Sequence, residues 1–257
     1  MSLRVENLSF EYYAGHPVLN GLNLEIRAGQ VTGLFGPNGC GKSTLLRCLN
    51  GALHPQSGAV LHEGHRLDKL TPREIAARIA VVPQETSASV PFLVREMVMM
   101  GRFARWDLWG QESPEDQAAV QASLERVGAA DLADRHFDEL SGGERQRVII
   151  ARALAQETRV LLLDEPASHL DIAHQLEVFH LARELAAEGY TVLMVCHDLV
   201  VAPLFVEEAV LLKAGSVFAR GAVPQVLQPQ NITACFGCSL GMTWPAPGRA
   251  SLTLENG

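Results

Sequence analysis

From Leu3 to Tyr12 apolar and polar residues alternate, the period of a half-buried strand, and Val18 to Ile26 continues as a second strand region. Arg27-Ala28-Gly29-Gln30 reads as a turn. Val31 to Phe35 is then a short apolar run of the kind buried on both faces of a sheet. Ser43 to Leu49 has helical spacing, with Gly51 as its predicted cap. Ala80-Val81-Val82-Pro83-Gln84 predicts another strand, ending at the proline. From there to about residue 157 alanine, glutamine, leucine and charged residues dominate, as in Pro114 to Val127, and this predicts a helical lobe. Strand runs return at Val160 to Leu163 and Thr191 to Val195, separated by the helix-like stretch Asp171 to Glu188. Strand, helix, strand with unbroken apolar strands predicts a parallel sheet covered on both faces.

At 257 residues the chain is long for one domain and short for two, so one domain with an inserted lobe is expected. Its core covers 1–85 and 158–227, the lobe 86–157, and an appendage with Pro229, Pro245 and Pro247 the stretch 228–257. The chain shows neither an internal repeat nor a low-complexity tract. A hydrophobic fraction of 47% supplies a globular core, and a formal net charge of −8 argues against nucleic acid as the main partner. Five cysteines, Cys40, Cys48, Cys196, Cys235 and Cys238, are odd in number and unpatterned, which suits reduced thiols in the cytoplasm. Cys235 and Cys238 lack a second pair or suitable histidine spacing and read as packing residues. His169 and His174 have no further ligands to make a metal site. The N-terminus, Met1 to Glu6, reads as a strand start and not as a signal peptide. The most apolar stretch, Val192 to Leu212, is interrupted by His197, Asp198, Pro203, Glu207 and Glu208, so no ~18-residue spanning helix is expected.

Chemistry enters at Gly36-Pro37-Asn38-Gly39-Cys40-Gly41-Lys42-Ser43, which fits the phosphate-binding pattern G-x-x-x-x-G-K-[ST] between an apolar strand and a helix. Its glycines let backbone N–H groups turn toward phosphate, and the following helix adds its positive end. Lys42 would reach the β- and γ-phosphates of a nucleotide, and Ser43 would offer a hydroxyl to Mg²⁺. The loop works through its backbone, so Cys40 need not touch nucleotide. Beside helix-terminal N–H groups its thiol is expected to have a lowered pKa, and its alkylation to block ATP binding. A second acidic element narrows the reading: the strand Val160 to Leu163 ends in Asp164-Glu165. Asp164 would hold Mg²⁺ and Glu165 would polarise an attacking water.

Leu140-Ser141-Gly142-Gly143-Glu144-Arg145-Gln146-Arg147 resembles the signature motif of ABC ATPases, and the other motifs fall into that family's order over residues 3 to 227. The resemblance implies an α/β fold: a P-loop NTPase (RecA-like) parallel sheet core, an antiparallel N-terminal β region and an inserted α-helical lobe. It implies that Tyr12 stacks on adenine, with the adjacent Tyr13 as the alternative. Thr44 would join the P-loop residues at ATP, Gln84 would be the Q-loop glutamine beside Mg²⁺, and Ser168 and Asp171 would form the D-loop. His197 would be the switch histidine, contacting the γ-phosphate. Ser141, Gly142, Gly143 and Glu144 stand before or at a helix start, an anion site by their N–H groups and hydroxyl. In the family that site meets ATP held by the P-loop of a second copy. Ala167 replaces the more usual threonine or serine after Asp164-Glu165-Pro166, with little effect expected.

Residues 94–102, 149–156 and 167–175 resemble the importers of iron–siderophore, haem and cobalamin. That resemblance implies a peripheral subunit on the cytoplasmic face of the cell membrane. Two ATPase subunits would drive a membrane permease, with an extracytoplasmic substrate-binding protein as an indirect partner. The stretch Thr86 to Trp109, rich in Phe92, Leu93, Met97, Met99, Met100, Phe103, Trp106 and Trp109, would be the docking surface, Trp106 and Trp109 foremost, although many of these side chains would also pack the lobe. Two alternatives are a soluble ABC ATPase of iron–sulfur cluster assembly and the ATPase subunit of an exporter. An inactive regulatory cassette is disfavoured by intact Lys42, Asp164, Glu165, Ser141 and His197.

Overall fold

The computed structural model describes residues 2–84, 91–106, 112–237, 240–246 and 249–254, the last two segments by their backbone only. The chain divides into two compact units, one made of Met1–Leu70 and Ala182–Gly257, the other of Thr71–Leu181.

In the first unit β1 (Ser2–Glu11) pairs antiparallel with β2 (Pro17–Arg27) and with β4 (Ser57–His62), and β4 with the short β5 (His65–Arg66). Leu3 and Val5 are buried, then Leu8 and Phe10, so the inward set moves by one residue midway along the strand. A strand has a strict two-residue period, so such a phase change needs a bulge. Asn7 supplies it at φ 47°, its N–H donating to Asn23 Oδ1 at 3.0 Å.

The unit's second sheet is centred on β3 (Gln30–Phe35), flanked in parallel by β8 (Thr191–Val195) and β9 (Glu208–Lys213), with β10 (Ser216–Ala222) antiparallel on β9. Val31, Leu34, Phe35 and the whole of β8 are buried, as continuous apolar strands require. Ala214 (φ 46°) and Gly215 (φ 77°) make the two-residue hairpin turn between β9 and β10, whose left-handed positions match the strand twist. Helix α1 (Lys42–Leu49) follows β3. After β10 comes α7 (Val223–Val226), and the stretch expected only as an appendage holds α8 (Pro229–Phe236) and the hairpin β11 (Leu240–Ala246) and β12 (Arg249–Leu254). Lys213 Nζ donates to the Ala234 carbonyl at 2.8 Å and ties α8 to the end of β9.

The second unit contains α2 (Pro72–Ala76) and a parallel pair, β6 (Ile79–Val82) and β7 (Val160–Asp164). Between these strands in sequence lie α3 (Val94–Met99), α4 (Pro114–Arg126) and α5 (Gly142–Ala155); of α6 (Ile172–Ala187), which follows β7, residues 172–181 belong to this unit. Ser113 and Ser141 cap α4 and α5 in reciprocal boxes with Asp116 and Glu144, the pattern that satisfies two orphan N–H groups at once. Arg102, buried between these helices, donates to Asp116 Oδ1, the Ala155 carbonyl and Glu157 Oε2, each at 2.7 Å. The parallel core, the antiparallel N-terminal sheet and the helical insertion all match the expected α/β fold.

Candidate functional site

In the first unit the loop after β3 is shaped by glycines with specific neighbours. A Cβ on Gly36, at φ 151°, would stand 2.4 Å from the Leu212 carbonyl oxygen. A Cβ on Gly41, at φ 106°, would stand 2.9 Å from the Val18 carbonyl oxygen. Both positions therefore admit only glycine, whereas Gly39 faces open space. Gly41 is the N-cap of α1, so the loop's N–H groups and the helix start share one turn. Lys42 is buried and its Nζ donates to the carbonyls of Gly36 at 2.7 Å and Pro37 at 3.2 Å. An ammonium has three donors, and two hold the loop's own curvature. Asn38 and Gly39 are exposed at the tip.

Tyr12 and Tyr13 differ clearly. The Tyr12 ring meets Phe10 edge-on at 4.9 Å and its hydroxyl lies 3.4 Å from Thr44 Oγ1 in α1. Tyr12 is 47% exposed and Tyr13 77%. Tyr12 is thus an anchored aromatic plate next to α1, while Tyr13 projects outward. His197 is exposed just beyond β8, whose register pairs Val195 with Leu34 of β3. His197 and the glycine loop therefore both leave the carboxyl ends of neighbouring parallel strands, where α/β sheets hold ligands.

Cys40 overturns one expectation. Its side chain is turned inward, 5% exposed, and a Cβ on Gly36 would touch its Sγ at 2.7 Å. Burial pushes the thiol above its usual range and outweighs the Lys42 ammonium and the backbone N–H groups, which pull the other way. Cys40 is a poorly ionised, enclosed thiol and not an activated one.

In the second unit β6 and β7 are in register at Val82 and Leu163, so Gln84 and Glu165 each stand two residues beyond a paired position. Gln84 Nε2 donates to Glu165 Oε2 at 2.8 Å. Glu165 adopts φ 49°, uncommon for a residue with a side chain, and Ser168 closes the turn by donating to its carbonyl from N at 3.0 Å and Oγ at 2.8 Å. The carboxylate is thus presented from a strained but well-tied turn next to Asp164.

At α5, Glu144 Oε2 accepts from the Ser141 N–H at 2.8 Å and from Ser141 Oγ at 2.7 Å. These bonds to Ser141 hold the Glu144 carboxyl below its usual range, and Arg135 lies 3.5 Å from it. Ser141 and Gly142 are exposed and Gly143 is buried. Beyond the turn closed by Ser168, Asp171 Oδ1 accepts from the His174 backbone N–H at 3.0 Å and lies 2.8 Å from His174 Nδ1. This Asp171–His174 link was not anticipated, although the i,i+3 spacing at a helix start is the capping signal that would have found it.

The stretch expected to dock a partner divides in two. Met97 is core, whereas Phe92, Met99, Met100, Phe103 and Trp106 line an open cleft of about 830 Å³ within the second unit. Trp106 is half-buried, its ring 4.5 Å from Phe103 and its Nε1 donating to Asp116 at 3.1 Å. Trp109, and residues 86–90, lie outside the described residues, as does Cys238. Among the described residues no helix is long and apolar enough to cross a membrane.

The family model described as "ABC transporter" matches residues 19–168. A hemin import ATP-binding protein of Rhizobium meliloti is 43% identical over 235 residues, 88% of each chain. A cobalamin import ATP-binding protein of Halobacterium salinarum is 42% identical over 255 residues, 98% of this chain but 63% of that longer one. A solved metal-chelate type ABC transporter in an inward-facing conformation superposes with a TM-score of 0.84 at 31% identity, over 98% of this chain and 95% of that one.

Proposed function

The chain belongs to the ABC transporter family, and from that premise we propose that it is the ATP-hydrolysing subunit of an importer for an iron chelate, haem or cobalamin. The observation that carries the ATPase reading is Glu165, fixed by Gln84 at 2.8 Å and displayed from a left-handed turn at the end of β7. A carboxylate so held takes the proton of a water attacking the γ-phosphate. Lys42 and the backbone of residues 36–44 bind the phosphates, Tyr12 stacks on the adenine, and His197 orients the γ-phosphate. The donors proposed for Mg²⁺ are the Ser43 hydroxyl, the Asp164 carboxylate and the Gln84 carboxamide. All are hard oxygens, which this cation selects. Gln84 uses its Nε2 on Glu165, so its carbonyl oxygen remains an acceptor.

Ser141 to Gly143 offer a second anion site at the start of α5, distinct in sequence from the P-loop. One chain thus carries two kinds of phosphate-binding element, and two copies related by a two-fold axis complete both nucleotide sites. Ser168 and Asp171 belong to the D-loop that faces the same interface. ATP binding closes the pair and hydrolysis resets it. The aromatic and methionine-lined cleft around Phe92, Met99, Met100, Phe103 and Trp106 suits a permease segment with apolar side chains. The chain sits peripherally on the cytoplasmic side of the membrane, and a substrate-binding protein outside acts only through the permease. The importer class follows from the names of the relatives.

The test is to express the tagged chain in a bacterial host and identify what co-purifies with it from membranes in mild detergent. A polytopic importer subunit is expected. Soluble assembly proteins alone, with full ATPase activity, would move the function to iron–sulfur cluster assembly.

A further inference from the structure

Gly143, the second residue of α5, is buried and has ordinary helical backbone geometry, so its φ does not demand glycine. What excludes a side chain is a neighbour. A Cβ there would stand 2.4 Å from Cδ2, 2.7 Å from Nε2 and 2.8 Å from Cγ of His174, distances at which something must move. Gly142, one residue earlier, meets nothing closer than Leu170 Cδ2 at 4.0 Å. The His174 and Asp171 side chains are 34% and 65% exposed, and swinging the imidazole aside would break the link between them. Its Nδ1 is 2.8 Å from Asp171 Oδ1, the same oxygen that accepts the His174 backbone N–H at 3.0 Å. The Asp171 carbonyl accepts the Gln175 N–H at 2.9 Å, and Gln175 Nε2 donates to the Leu170 carbonyl at 3.0 Å. Asp171, the first turn of α6 and the ring are therefore one tied piece, and the ring's free edge lies against the backbone of α5's first turn.

We propose that His174 is a positioning residue for the nucleotide site: its ring seats the signature turn at Gly143 and links that turn to Asp171. The inference rests on the reading of Ser141 to Gly143 as the half-site for a second copy's ATP. A phosphate-binding turn must hold its N–H groups to within a few tenths of an ångström to be effective. The ring serves as the stop that sets this position, and Gly143 is glycine because the stop occupies the space of its Cβ. The two elements proposed to face the partner's nucleotide then move together when the dimer closes.

The test is made on the full chain carrying Glu165→Gln, with ATP-dependent dimerisation followed by analytical ultracentrifugation. Binding of a fluorescent ATP analogue to dilute monomer is measured in parallel. Gly143→Ala is expected to weaken dimerisation severely while leaving monomer nucleotide affinity within about twofold. His174→Ala alone is expected to weaken dimerisation several-fold. Adding His174→Ala to Gly143→Ala is expected to restore dimerisation by about tenfold, the coupling of directly touching side chains. A purely structural contact would lower thermal stability without this selective, mutually suppressing effect on dimerisation. The proposal is overturned if Gly143→Ala is equally damaging with and without His174, or if His174→Ala dimerises like the parent. Should Gly143→Ala not fold, the His174→Ala comparison decides alone. If the parent does not dimerise with ATP, the two-copy reading fails and takes the proposal with it.

Discussion

Replacing Arg102 by methionine removes the guanidinium that neutralises Asp116 while keeping an unbranched apolar stem. Arg102 and Asp116 are each only 5% exposed and meet at 2.7 Å. Asp116 Oδ2 still accepts from Ser113 N, Ser113 Oγ and Trp106 Nε1 at 3.0 to 3.1 Å, but Oδ1 loses the bond from Arg102 Nε. Removing one partner of a buried pair costs about 3–5 kcal/mol, because the other charge is left in a poorly solvating site. The bond to Glu157, 52% exposed, adds about 0–1 kcal/mol, and the orphaned Ala155 carbonyl about 1 kcal/mol. The three remaining donors on Asp116 offset part of this, and the expected loss is about 3 kcal/mol at pH 7. Urea unfolding followed by tryptophan fluorescence reads it as a lower midpoint at unchanged slope. A second substitution, Asp116→Leu, removes the uncompensated charge but orphans the Ser113 and Trp106 donors and the α4 cap, so it is expected to recover only part of the loss. The sign of the pH dependence follows from the carboxyl. Burial alone would raise the Asp116 pKa, but the bonds from Arg102 and Ser113 outweigh it and hold it below the usual range. A depressed carboxyl stabilises the fold above its unfolded pKa, so the gap between parent and variant is full at neutral pH and narrows below about pH 4. A loss below about 1 kcal/mol for Arg102→Met, or a gap that widens in acid, would refute this reasoning.

Glu165→Gln keeps an oxygen to accept from Gln84 and removes the proposed base, so hydrolysis is expected to fall about 10²- to 10⁴-fold while ATP still traps a dimer; normal turnover would sink the assignment. Lys42→Ala removes the proposed charged phosphate donor and is expected to weaken nucleotide binding itself about 10- to 100-fold, measured by equilibrium titration. Tyr12→Ala is expected to weaken ATP binding about tenfold and Tyr13→Ala less than twofold; equal effects would show that the anchored ring is not the adenine platform. Cys40, enclosed and poorly ionised, is expected to resist alkylation in the folded chain, by peptide mass spectrometry, on a timescale that fully labels the unfolded one.

What was legible in the sequence was what is local. The P-loop lies within eight residues, and its glycines, lysine and serine declare a turn before a helix whatever surrounds them. The Ser141–Glu144 cap is likewise written in one i,i+3 spacing. Non-local relations left weaker traces. Gln84 and Glu165 are 81 positions apart, and only the register of β6 on β7 puts them at 2.8 Å; family resemblance, not spacing, singled out the glutamine. The inverted expectation for Cys40 has the same root. Its proximity to a helix start is readable from neighbours in sequence, but the desolvation that wins comes from its enclosure beneath the loop. The strand β1 looked like simple alternation because a bulge at Asn7 shifts the phase without interrupting the apolar content. Asp116, three residues after Ser113, could be recognised as a capping acid, but not as the buried counter-ion of Arg102, since a cap is usually solvated. Gly143 shows the limit most clearly. Two adjacent glycines read alike, and only the fold reveals that one is open while the other is dictated by a ring from 31 residues away.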